Sequence, residues 1–352
     1  MKRLDGYLEK SAEPAGSDQC GFHITPYLQH PARDAITLIW FSKKERAGQL
    51  RVWNPDTENE QQAVRLDSSP VRAGALFYHS AERCEGGSCA DMPLPFLHQV
   101  RLTDLKPGTL YRYEVVQGAG QSGGSFSTLG DGARPLRFIV YADSETEPES
   151  TGKHVVWPSV ENPTRLRRYP LDQTSGYKQN LRVIKARKPA FVGIAGDLVQ
   201  SGGEQRDWDE FWLHNAELAA TSVLLPALGN HDYFGGPGDL GKYATPDSER
   251  AVLKYQTYFD LPDNGAKDER HSERYYALQH GVVTLIVLDT TNGLPDRSEM
   301  DTNWRLLGEG EGGVAPDWQP GSEQHAWLQK ELQQAQATSR FTFVMFHGVP
   351  YT

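Results

Sequence analysis

Four apolar runs in this chain stop abruptly at a side chain that binds cations or protons. Leu136-Arg137-Phe138-Ile139-Val140-Tyr141-Ala142 ends at Asp143, and Phe191-Val192-Gly193-Ile194-Ala195-Gly196 ends at Asp197. Leu225-Pro226-Ala227-Leu228-Gly229 opens onto Asn230-His231-Asp232, and Phe341-Thr342-Phe343-Val344-Met345-Phe346 ends at His347. Near-continuous apolar runs are how strands look when both faces of a sheet are covered, the usual state of parallel sheets between helices. Open α/β sheets keep their sites at the carboxyl ends of such strands. The glycines before Asp197 and Asn230 permit a sharp turn or a close backbone approach. Four strand ends that deliver oxygen and nitrogen ligands predict one shared metal site.

The segments between these runs read as helices. They cover 174–188, a stretch opened by the capping-box-like Asp207-Trp208-Asp209-Glu210, residues 248–259, and 322 to about 336. A further apolar run, Val282 to Asp289, is another buried strand, with Asp289 read as structural rather than as a ligand. The first third of the chain has a different character. Ala35–Phe41, Gly48–Trp53, Ala73–His79, Leu97–Leu102, Leu110–Val116 and Ser125–Thr128 read as short strands separated by turn signals, with no helical pattern. That predicts a β-sandwich acting as a scaffold, with Tyr111 and Tyr113 packed on one face. The expected division is a loose segment 1–20, an all-β sandwich 21–130, a linker around Gly130–Pro135, and an α/β domain 136–352.

A net charge of −10 argues against nucleic-acid backbone as the main partner. No apolar run is long enough for a membrane span. The basic start Met1-Lys2-Arg3 has no apolar segment behind it, so no signal peptide is read here. Cys84 and Cys89 flank Glu85-Gly86-Gly87-Ser88; a disulfide or two free thiols are both open there, and no further ligands at close spacing suggest zinc.

Carboxylate, amide oxygen and imidazole together suit zinc, manganese or iron. A carboxylate has two oxygens, and Asp197, central in the set, is the natural bridge between two ions. The ordered series Asp143, Gly196-Asp197, Gly229-Asn230-His231-Asp232 and His347 resembles the calcineurin-like metallophosphoesterase superfamily, in its purple-acid-phosphatase-like branch. Pro107-Gly108-Thr109 with Tyr111 and Tyr113, and Pro26-Tyr27-Leu28-Gln29 upstream, resemble that branch's fibronectin type III-like amino-terminal domain. The resemblance implies an αββα-sandwich phosphoesterase domain behind the β-sandwich. It assigns Asp143 and Asp197 to the first metal, and Asp197, Asn230 and His347 to the second. It places His231 beside the phosphate or leaving group, with Asp232 orienting its imidazole. Two metal ions would activate water for in-line attack on a phosphate ester of a small molecule.

Two departures qualify the resemblance. The first motif often offers a histidine two residues after its aspartate, where this chain has Glu145, a candidate ligand; the tyrosine ligand of purple acid phosphatases is replaced by Gln200. The family's last motif, Gly-His-x-His, follows the strand that ends at His347, yet the sequence stops at Thr352. The metal site and the sheet are therefore expected to be incomplete in these residues, as in a fragment of a longer protein. The alternative is a non-catalytic metal- or phosphate-binding protein on a degenerate version of the fold. Segment 145–173, with Lys153, His154, Trp157, Arg165, Arg167 and Arg168, is either a substrate lid or a solvated loop. The resemblance implies a periplasmic or secreted location.

Overall fold

The computed structural model describes residues 21–57, 60–85, 88–130, 136–147, 156–158, 166–168, 173–236, 247–291, 315–318 and 320–348. The first ten strands are β1 (Phe22–Gln29), β2 (Ile36–Ser42), β3 (Gly48–Trp53), β4 (Val64–Ser68), β5 (Val71–Arg72), β6 (Cys84–Glu85), β7 (Ser88–Cys89), β8 (Phe96–Leu102), β9 (Leu110–Gln117) and β10 (Gly120–Ser127). A short helix, α1 (Ser80–Arg83), precedes β6. Two four-stranded antiparallel sheets form, β1-β2-β8-β5 and β10-β9-β3-β4. Along β9 burial alternates strictly, with Tyr111, Tyr113 and Val115 turned in, as period-two strands require. The expected β-sandwich is present.

Local details differ from the sequence reading. Ala73–His79 is not a strand: Gly74 and Leu76 close turns through their N–H groups onto the Arg72 and Ala73 carbonyls, and Leu76 is fully buried as a single plug. The paired strand there is only β5, upstream. Strands β1 and β4 form over residues not read as strand from sequence. Strands β6 and β7 pair with Cys84 opposite Cys89.

Strand β2 is buried along its whole length because both of its faces are covered. One face lies inside the sandwich, where Trp40 donates its indole N–H to Gln117. The other meets the following α/β unit. Tyr27, paired with Ile39 across β1 and β2, packs its ring tilted against Trp212 with centroids 4.2 Å apart and donates its hydroxyl to the Tyr258 carbonyl. Gln29 reaches the Leu224 carbonyl, Tyr113 the Ala220 carbonyl, and Phe41 lies edge-on to Tyr258. The scaffold thus shares one continuous apolar core with the α/β unit. Fully buried aromatics at such a seam carry both area and hydrogen bonds, which binds the two parts firmly.

The α/β part comprises β11 (Phe138–Tyr141), β12 (Val156–Pro158), β13 (Leu166–Arg168), α2 (Gln173–Ala186), β14 (Phe191–Ala195), α3 (Gln205–Ala219), β15 (Val223–Ala227), α4 (Asp247–Tyr258), β16 (Tyr276–His280), β17 (Val283–Val287), α5 (Glu323–Thr338) and β18 (Phe341–Met345). Strands β11, β14 and β15 are parallel neighbours joined through α2 and α3. A second sheet has the order β16-β17-β18, with β17 and β18 parallel. Phe138 meets Phe343 edge-on at 5.1 Å, and a Cβ on Gly193 would lie 2.9 Å from the Met345 sulfur, so the two sheets face each other. Helix α5 packs on β17 and β18.

Helix α3 begins two residues before the expected Asp207. Its N-cap, Glu204, makes no side-chain cap bond, and the Asp207 carboxylate instead accepts the Ser201 N–H at 3.0 Å. Helix α5 is capped by Ser322, whose hydroxyl accepts the His325 N–H. Within segment 145–173, β12 and β13 pair as a short ribbon that includes Trp157, Arg167 and Arg168. Lys153, His154, Arg165, the segment 1–20 and most of the linker lie outside the described residues.

Candidate metal centre

The carboxyl ends of β11, β14, β15 and β18 bring the predicted residues together. The loop after β11 runs alongside the loop after β14. Asp143 donates its N–H to the Gly196 carbonyl at 3.1 Å, Glu145 to Asp197 at 3.0 Å, and Thr146 to Leu198 at 3.3 Å. Asp143, Glu145 and Asp197 all adopt positive φ (57°, 36° and 53°), a conformation that is uncommon for residues other than glycine. Such strain persists only where surrounding structure fixes it, and it clusters at functional sites.

Both motif glycines are required by close packing. A Cβ on Gly196, itself at φ +87°, would lie 2.6 Å from His347 atoms. A Cβ on Gly229 would lie 2.3 Å from Asp197 Oδ1 and 2.4 Å from the Asp197 nitrogen. The ends of three strands therefore approach each other as closely as backbone permits.

Asp197 is the hub. It is 3% exposed. Its Oδ1 accepts the His231 N–H at 2.9 Å, and its Oδ2 lies 3.2 Å from His347 Nε2. Two groups of ligand atoms, each within 4.8 Å of one another, share it: Asp143, Asp197 and His347 in one, Glu145, Asp197 and His231 in the other. Asn230 Oδ1 lies 2.9 Å from His347 Nε2, which adds an amide oxygen to the first group. Every residue predicted from sequence to touch a metal lies in this cluster.

The two imidazoles are oriented by backbone carbonyls. His347 Nδ1 faces the Ala195 oxygen at 2.9 Å, and His231 Nδ1 faces the Gln200 oxygen at 2.9 Å. A carbonyl only accepts, so each Nδ1 carries a proton; the Nε2 of His231 is left for chemistry, and that of His347 faces Asp197 and Asn230. Phe234 packs against the His231 ring at 4.4 Å between centroids. Residue Gln200, noted in the sequence only for lacking a tyrosine ligand, acts here through its main chain. No side-chain pattern announces a backbone acceptor.

Asp232 differs from its expected part. It does not orient the His231 ring. It is fully buried, and its two oxygens accept the N–H groups of Gly229 at 2.8 Å and of Asp197 and Leu198 at 3.0 Å. It ties the turn after β15 to the turn after β14. Burial and the neighbouring Asp197 charge push its carboxyl up, to about 8, while the Gly229 and Leu198 N–H groups pull the other way.

Electrostatically the cluster is short of positive charge. Burial, with Asp197 and Asp143 nearby, raises the Glu145 carboxyl, against the pull of His231 and His347. Burial lowers His347, but the Asp197 carboxylate and the Ala195 carbonyl outweigh it and carry the imidazole up to about 9. Three carboxylates converging on one point hold protons more tightly than usual, and a cation of higher charge would satisfy the same field. The donor set of carboxylate, amide and imidazole fits a zinc, manganese or iron ion.

The calcineurin-like phosphoesterase profile matches residues 154–351, more than half of the chain. The chain belongs to that family. Asp197, Asn230, His231, Asp232 and His347 lie inside the matched range, and Asp143 and Glu145 precede it. Two uncharacterized proteins of Mycobacterium tuberculosis, Rv2577 and MT2654, are each 28% identical over 257 residues, covering 71% of this chain and 41% of theirs. The chain thus spans about two-fifths of the length of these curated relatives. Among solved structures, the purple acid phosphatase PPD1 from yellow lupin (Lupinus luteus) seeds aligns with a TM-score of 0.56 at 16% identity, over 90% of this chain and 50% of that one. A structure of PhoD aligns with a TM-score of 0.55 at 14% identity, over 92% and 62%. Coverage this broad takes in the sandwich as well as the α/β part, so the fold is common to both. Among the described residues, no helix is long and apolar enough to cross a membrane.

Proposed function

We propose that the protein hydrolyses phosphate esters of small molecules at a dinuclear metal centre. The observation that carries this reading is the sharing of Asp197 between two ligand groups, Asp143–Asp197–His347 and Glu145–Asp197–His231. Asp143, Asp197, Asn230 and His347 would hold the ions, and Glu145 would add a ligand. When bound, two such ions supply Lewis acidity that makes water nucleophilic near neutrality and offsets charge on the phosphoryl oxygens.

The chain's own residues supply the rest. Asp197 holds the His231 N–H, which fixes where that ring stands relative to the ligands. The Gln200 carbonyl holds the proton on His231 Nδ1 and leaves Nε2 to meet the phosphate or the leaving oxygen. A histidine so placed stabilises developing charge, or, when protonated, donates to the leaving group. Asp232 serves by holding the loops in register. We assign residues 21–130 to a sandwich domain and 136–352 to the phosphoesterase domain. The family resemblance supports an exported location.

The test is hydrolysis of p-nitrophenyl phosphate and bis-p-nitrophenyl phosphate by chain loaded with zinc, manganese or iron. His231→Ala is expected to lower kcat by about 100-fold or more, the usual worth of a positioned acid–base group. Equal turnover by the variant would remove His231 from the reaction.

A further inference from the structure

One segment touches both ligand loops and has no part in the mechanism above. Strand β17 ends at Val287, and the next four residues bond in both directions. Toward His347, the Leu288 N–H donates to the Met345 carbonyl at 2.9 Å, and the Gly348 N–H donates to Thr290 Oγ1 at 3.2 Å. Toward His231, the Asp289 carboxylate accepts the Tyr233 hydroxyl, and Tyr233 closes the 3-10 turn His231–Tyr233. Arg274 completes this side: its Nε donates to Asp289 Oδ2 at 3.2 Å and its Nη2 to the Tyr233 oxygen. Asp289 and Arg274 are 0% and 1% exposed at their side chains. Gln324 of α5 anchors the segment from behind, exchanging two hydrogen bonds of 2.9 Å with the Asp289 main chain.

A buried ion pair is a weak source of stability, because desolvation of two charges consumes most of their attraction. A directional one does fix geometry. Here the fixed point is the far end of the turn whose near end Asp232 holds. Thr290, the adjacent residue, fixes the residue after His347. Behind the contacts through Asp197, one short stretch of chain therefore also holds Asn230 and His231 relative to His347.

We propose that Asp289-Thr290, with Arg274 and Tyr233, is a brace that positions the two histidine-bearing loops relative to each other. Tyr233, Arg274, Asp289 and Thr290 are positioning residues. The inference rests on the metal-centre reading for its functional meaning, but its geometry is testable without metal. Groups that orient metal ligands from behind are typically worth 10–100-fold in metal affinity or activity.

The test uses the full chain as Tyr233→Phe, which keeps the Arg274–Asp289 pair and so the fold, and as Thr290→Val, with Thr290→Ser as the conservative rescue. The first readout is NMR of the imidazole Nδ1–H protons of His231 and His347 in metal-free protein. Tyr233→Phe is expected to shift or broaden the His231 signal and Thr290→Val the His347 signal, with Thr290→Ser restoring it. The second is metal titration and kinetics well below the melting temperature. There each variant is expected to bind metal about 10-fold more weakly or worse, and to lose kcat with little change in KM. Unchanged imidazole signals in both variants overturn the brace, whatever the activity. Shifted signals in a protein that binds no metal at all would support the brace and refute the metal-centre reading instead. A lower melting temperature with unchanged signals, metal affinity and kcat would show a merely structural role and overturn the proposal.

Discussion

Asp232→Ala separates two accounts of one residue. The carboxylate accepts three buried main-chain N–H groups, from Gly229, Asp197 and Leu198, at 2.8–3.0 Å. Alanine leaves all three without an acceptor in a site that water does not reach. At about 1–3 kcal/mol for each stranded donor, the loss is about 3–9 kcal/mol. Relief of repulsion with Asp197, one cause of the raised Asp232 carboxyl, returns part of it, so the expected net fall is about 3 kcal/mol. Asp232→Asn keeps one acceptor oxygen and is expected to lose about half as much. Thermal unfolding followed by circular dichroism reads the difference, on a scale of about 2–4 °C per kcal/mol for domains of 150–250 residues. The alanine variant should melt roughly 6–12 °C below wild type on that scale. A variant that melts within about a degree of wild type while losing activity would refute this reasoning. It would return Asp232 to the part of imidazole partner.

Three further outcomes are expected. Gly229→Ala drives a Cβ into Asp197 Oδ1 and its main-chain nitrogen, so calorimetric titration should show metal affinity reduced by about tenfold or more in a folded protein. Tyr27→Phe removes the hydroxyl bond to the Tyr258 carbonyl across the seam between sandwich and α/β unit, and urea unfolding should show a loss of about 1 kcal/mol. His98 is fully buried, stacks on Trp40, and has its imidazole pushed down to about 4 by that burial. Between about pH 6.5 and pH 4 the unfolded chain therefore binds the extra proton, and stability contributed by neutral His98 is lost as pH falls through that window. The melting temperature of His98→Gln should fall less between pH 7 and pH 5 than that of wild type.

The four strand ends were legible because a parallel strand covered on both faces writes itself as an apolar run, and a polar residue at its end has no packing reason to be there. The helices α2 to α5 followed from periodicity and punctuation, within a few residues at their ends. Ala73–His79 misled because its unbroken run of apolar and aromatic residues looks like a strand: Leu76 fills a hole singly, and the chain turns at Gly74. The seam through Tyr27 and Phe41 was hidden for a different reason. A strand such as β2, apolar on both faces, looks the same whether its second face meets a helix, a sheet or another unit. At the site, ligand identity could be read from side-chain types, but ring orientation could not. Asp232 is adjacent to His231 in sequence and faces away from its ring, while the group that holds the ring is a main-chain carbonyl 31 positions earlier, at Gln200.

Metal binding by the full chain bears most directly on the dinuclear centre. Elemental analysis after loading and desalting should give about two ions per wild-type chain, since two ligand groups converge on Asp197. Asp197→Asn, which takes one charge from both groups, should leave fewer than one and abolish phosphoester hydrolysis. A wild-type chain that retains no metal, or an Asp197→Asn chain that retains both ions and full activity, would contradict the account.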